Sequence, residues 1–73
     1  MTTSEIREHL MHGDAEFQKL AEEHARYSTQ LEELTRTPYH SAEDLLREAE
    51  LKKLKLRLKD EMERRVARFR EAS

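Results

Sequence analysis

Residues 51–62 read Leu51-Lys52-Lys53-Leu54-Lys55-Leu56-Arg57-Leu58-Lys59-Asp60-Glu61-Met62, and the way this run is read decides the fold. Leucine and cation alternate over residues 54–59, as a strand of period two would require, but the same residues continue a helical pattern about thirty residues long. Leu, Lys, Arg, Glu and Met all favour helix, and no β-branched residue, Gly or Pro lies between Ala42 and Arg65. The run therefore belongs to a long helix expected over about 42–71.

Working towards the N-terminus, Ser41-Ala42-Glu43-Asp44 reads as a capping box, with a side-chain acceptor at each end for the other's backbone N–H. The only central loop signal is Thr37-Pro38-Tyr39-His40, which assigns residues 37–41 to a loop. Before it, Phe17, Leu20, His24, Tyr27, Leu31 and Leu34 recur at spacings of three and four, the seam of a helix over about 15–36 with Asp14 as its N-cap. Thr2-Thr3-Ser4-Glu5 is a second box that opens a short helix over about 4–12, ended by Gly13. The fold expected is all-α: a coiled-coil-like antiparallel hairpin with a short N-terminal helix, one domain over residues 1–73.

A loop this short makes the two long helices antiparallel neighbours. With Leu34 opposite Leu45, His24 lies level with Lys55 and Phe17 near Met62, so Leu51, Leu54, Leu58 and Met62 form the second half of the seam. At 1.5 Å per residue the helices differ by roughly 12 Å, an overhang carrying Val66 and Phe69. Ile6 and Leu10 suit it, whether the first helix folds onto the overhang or continues the second helix through Gly13; the two caps favour a break. Leu45, Ala49 and Leu56 fall on nearly the opposite face of the last helix, which one partner helix cannot cover. They form a candidate oligomer face for a dimer or larger assembly, or for a helix of another protein.

Composition points the same way. A 73-residue chain with 36% hydrophobic and 41% charged residues gathers a thin core, and without Cys no disulfide or thiolate metal site can reinforce it. Association is the remaining aid. The lack of Cys suits a reducing cytoplasm, no apolar run is long enough to span a membrane, and the N-terminus lacks a secretory pattern. Net charge is −2, yet residues 1–51 hold twelve acids against five bases and residues 52–73 hold nine bases against four acids. Acids near the start of the last helix and arginines near its end complement the helix dipole.

The motifs Phe17-x-x-Leu20-x-x-x-His24, followed by Leu31 and Leu34, and Leu51 to Met62 together resemble the YdcH-like family of small uncharacterised bacterial proteins. The second motif, with its Lys-Leu-x-Leu-Lys-Asp-Glu core, is the more specific. The resemblance implies a cytoplasmic helical hairpin with no assigned activity. Glu16 stands where relatives often carry His, and Leu54 where Gln or Glu is common, so no polar role transfers to those two positions.

Candidate chemistry is sparse. Lys52, Lys53, Lys55, Arg57 and Lys59 could contact an acidic partner, which makes a nucleic-acid-associated factor the alternative reading. Against it stand the absence of aromatics in the run, the pI of about 6.1, and acids spaced to pair along the helix, such as Glu48 with Lys52, Asp60 with Arg64 and Glu61 with Arg65. Glu5, His9 and His12 share a helix face, but with neither Cys nor a second His pair they do not amount to a metal site. His24 reads as a histidine satisfied within the seam, with a possible role for its protonation beside Lys55. With no nucleophile beside a base and no Gly-rich phosphate loop, no catalytic residue and no cofactor is expected.

Overall fold

A computed structural model describes residues 1–38 and 40–72 and forms three helices: α1 Thr3–Gly13, α2 Ala15–Thr35 and α3 Ala42–Ala72. The loop expected at 37–41 lies between α2 and α3, with Tyr39 outside the described residues. No strand occurs among the described residues, and the 51–62 run is helical throughout. α2 and α3 pack as an antiparallel hairpin, and α1 touches both.

Each helix start follows from its sequence. Thr2 Oγ1 accepts the Glu5 N–H at 3.2 Å while the Thr2 N–H donates to Glu5 Oε1 at 3.1 Å. The Thr2 backbone N–H first, and then the Thr2 hydroxyl, hold the Glu5 carboxyl below its ordinary pKa. Ser41 and Asp44 make the same reciprocal pair at 3.1 and 3.2 Å, an Asp filling the place usually held by Glu. At the start of α2, Asp14 Oδ1 accepts from the N–H groups of both Glu16 and Phe17 at 3.0 Å.

Asp14 also ends α1. Its backbone is extended, φ −120° and ψ 107°, while its N–H still donates to the Leu10 carbonyl at 2.8 Å. Gly13 is thus the last helical residue rather than a left-handed cap, since it has no positive φ. The turn is made by a residue that caps one helix while closing another.

That turn folds α1 onto the overhang of α3 instead of extending α2. Ile6 and Leu10 join Phe17 and Val66 in one buried cluster, with Met62 and Phe69 packed against it. α1 reaches both flanks of α3: Thr3 and Arg7 lie beside Glu63, Ala67 and Arg70, whereas Leu10 and Asp14 lie beside Arg65, Arg68 and Phe69. Arg70 Nη2 donates to Thr3 Oγ1 at 2.6 Å, and the rings of His9 and Phe69 meet with centroids 5.0 Å apart. Phe17 beside Met62, and an ion pair between Asp14 and Arg65, fall on the register that sets Leu34 opposite Leu45.

Burial is uneven along this rod, whose principal extents are 48 × 19 × 17 Å. Among the described residues the buried apolar ones are Ile6, Leu10, Phe17, Leu51 and Val66, of which only Leu51 lies outside the three-helix cluster. Towards the loop, where α1 does not reach, Leu20, Tyr27, Leu31 and Leu34 are half-buried. The radius of gyration is 15.1 Å, against about 11 Å for a compact chain of this length. The accessible surface is 5732 Å², whereas about 4,800 Å² is typical of a folded monomer of this mass.

Candidate association surface

On α3, the residues turned towards α2 are Leu51, buried, with Lys55, Leu58 and Met62 half-buried. Leu54 lies at the edge of this seam, 37% exposed, with Lys55 half-buried beside it. The reason is geometric: Leu54 lies about 60° round the helix from Leu51, on a flank that α2 alone does not cover and α1 does not reach. Phe17 is the buried end of the α2 seam, and His24 sits half-buried at its middle.

The opposite side of α3 is bare. Leu45 is 56% exposed and Leu56 58%, with Ala49 exposed between them. Leu46, 66% exposed, widens the patch beyond the three residues that spacing alone selects. Its position about 60° from Ala49 on the helical wheel would have placed it there. These residues occupy the half of α3 that has only α2 for a neighbour.

The cations are divided between faces. Lys52, Lys53, Arg57 and Lys59 are exposed, while Lys55 is half-buried against the hairpin. Lys52 Nζ lies 2.9 Å from Glu48 Oε1, and the hydrogen bond from this lysine holds the Glu48 carboxyl below its ordinary pKa. Other pairings differ from simple i,i+4 spacing. Arg64 pairs with Glu61 at 2.7 Å rather than with Asp60, and Arg65 reaches across to Asp14 at 3.4 Å and to Glu16. Arg65 thereby ties the third helix to the cap of the second, a contact 51 residues apart in sequence that no local spacing rule could announce.

His24 sits among like charges. Burial first, then the cations of Lys55, Lys59 and Arg7, push its pKa below the ordinary value. The folded chain therefore favours neutral imidazole, and the sign follows. The stability this gives is complete above the unfolded pKa of about 6.5 and is lost as pH falls through that value and the lower folded one. Wild type should melt at a lower temperature at pH 5 than at pH 7.5, and His24→Gln should flatten that difference. Parallel pH profiles for the two proteins, followed by circular dichroism, would rule His24 out as the cause.

Among the described residues no helix is long and apolar enough to cross a membrane, and no cluster of His, Cys, Asp or Glu is placed to hold a metal ion. The grooves flanking α1 and the start of α2 are open to solvent and lined by Arg, Glu and aliphatic stems. The candidate site is thus a surface, the exposed leucines of α3.

No curated protein and no solved structure shows significant similarity to the chain. Residues 17–66 match a family described as a protein of unknown function, DUF465. The match begins at Phe17 and ends at Val66, spanning the hairpin and leaving α1 outside. Because it covers both motifs of the YdcH-like resemblance and well over half of the sequence, the chain belongs to the DUF465 family, of which YdcH is a member.

Proposed function

We propose that this protein is a non-enzymatic helical interaction module that self-associates through the exposed side of α3, and that it works in the cytoplasm as an adaptor for itself or for a helix of another protein. The observation that carries the reading is the bare stripe of Leu45, Ala49 and Leu56, widened by Leu46, on the half of the hairpin that lacks a third helix. Exposed leucines gathered on one face of a helix are the kind of surface that a partner covers.

At high micromolar concentration, light scattering should return at least twice the 8.8 kDa mass of the chain. Replacing Leu45 and Leu56 together by Glu should return the mass of a single chain with helical content retained, because both positions are exposed and helix-tolerant. A wild-type chain that scattered as a monomer would end the self-association reading. The exposed cations Lys52, Lys53, Arg57 and Lys59 support a second reading, a nucleic-acid-associated factor. Retardation of nucleic acid that weakens steeply with salt would favour it over the first.

A further inference from the structure

The stripe on α3 does not say by itself how a second copy would sit on it, but the charges along the same helix do. We propose that two copies pair antiparallel through the outer faces of α3, with Leu45 of one chain against the partner's Leu56 and Ala49 against the partner's Lys52. The proposal rests on the self-association reading and fixes its geometry.

Residues 43–50 carry Glu43, Asp44, Glu48 and Glu50 against the single cation Arg47, whereas residues 51–58 carry Lys52, Lys53, Lys55 and Arg57 with no acid. An antiparallel pair in the proposed register lays the first stretch on the partner's second stretch, twice by symmetry. Asp44 then lies level with the partner's Arg57 and Glu48 level with the partner's Lys53, while Lys55 stays turned towards α2. A parallel pair would set each stretch on its own copy, with Lys52 facing the partner's Lys52 across the stripe, an arrangement that like-charge repulsion disfavours.

Packing agrees with charge. In the antiparallel register the two large apolar side chains, Leu45 and Leu56, meet twice, once on each side of the two-fold axis. Between them the small Ala49 leaves room for the aliphatic stem of the partner's Lys52, whose ammonium can stay near Glu48 and solvent. α1 does not interfere, because it packs at the far end of α3, around Val66 and Phe69. A second copy would in this way cover the half of the rod that α1 leaves open.

The absence of Cys makes a single introduced cysteine a unique labelling site. With a spin label on Ala67→Cys, an exposed position on α3, the antiparallel pair places the two labels about 50 Å apart along the helix direction, and a parallel pair keeps them within about 20 Å. A dipolar distance near the longer value, lost when Leu56→Glu is added, is the expected result. A dimer with the short distance overturns the antiparallel arrangement while leaving self-association standing. A dimer whose long distance survives Leu56→Glu shows that the stripe is not the contact, and a labelled protein that scatters as a monomer removes both readings together.

Discussion

Phe17→Ala should cost about 3–5 kcal/mol, the usual range for deleting a buried aromatic ring. Phe17 is 1% exposed and is the one buried residue of α2 among the described residues. It sits where all three helices meet, in contact with the cluster of Ile6, Leu10 and Val66. A 73-residue domain commonly has about 4–11 kcal/mol of stability in total, so the loss is a large part of what holds the chain folded. The effect should also be concentrated at one end: α1 keeps no other large anchor from α2, so its release should accompany the loss. Urea denaturation at fixed protein concentration measures the first effect, since association would otherwise shift the midpoint. Hydrogen exchange of the α1 amides measures the second. A stability loss below about 1 kcal/mol would mean that the cluster is not the core described here.

Asp14→Ala should have the next largest effect, about 1–2 kcal/mol from the lost cap and a few tenths more from the ion pair to Arg65. The carboxylate has two jobs. Its Oδ1 satisfies two orphan N–H groups at the start of α2, and its Oδ2 receives Arg65. Asn at this position would keep the cap and drop the charge, so Asp14→Asn should recover most of the stability lost in the Ala variant. Equal losses in thermal melts of the two variants would show that the ion pair, not the cap, dominates. The ion pair is ranked second because both side chains are partly exposed, at 26% and 29%, and water screens them.

The helices were legible because their ends are written locally. Thr2 with Glu5, Asp14, and Ser41 with Asp44 each signal a start within four residues, and each forms the expected bonds. The hairpin was legible because a short connection leaves two long amphipathic helices little choice but to pack side by side. The path of α1 was open, since Ile6 and Leu10 extend the α2 seam whether or not the chain breaks at Gly13. The extended backbone of Asp14 and the burial of Ile6 against Val66 decide it: the first is the local cap the sequence favours, and the second depends on a residue sixty positions away. Leu54 is the most exposed residue of the α3 seam for a related reason. Periodicity ranks it with Leu51 and Leu58, but how much of a helix face is covered depends on how many neighbours reach it. The candidate site was legible in its leucines at 45 and 56 and incomplete at Leu46, because a stripe judged by strict spacing omits the residue at its edge. The biological role was not legible, because no residue here carries chemistry that points to one substrate.

Arg70 and Thr3 are joined side chain to side chain although nearly the whole chain separates them. The first and last helical turns therefore leave from the same tip of a 48 Å rod, opposite the α2–α3 loop. Anything tethered to either end is carried at that tip. Two such rods laid antiparallel, as proposed, would present these tips at opposite extremes of the pair.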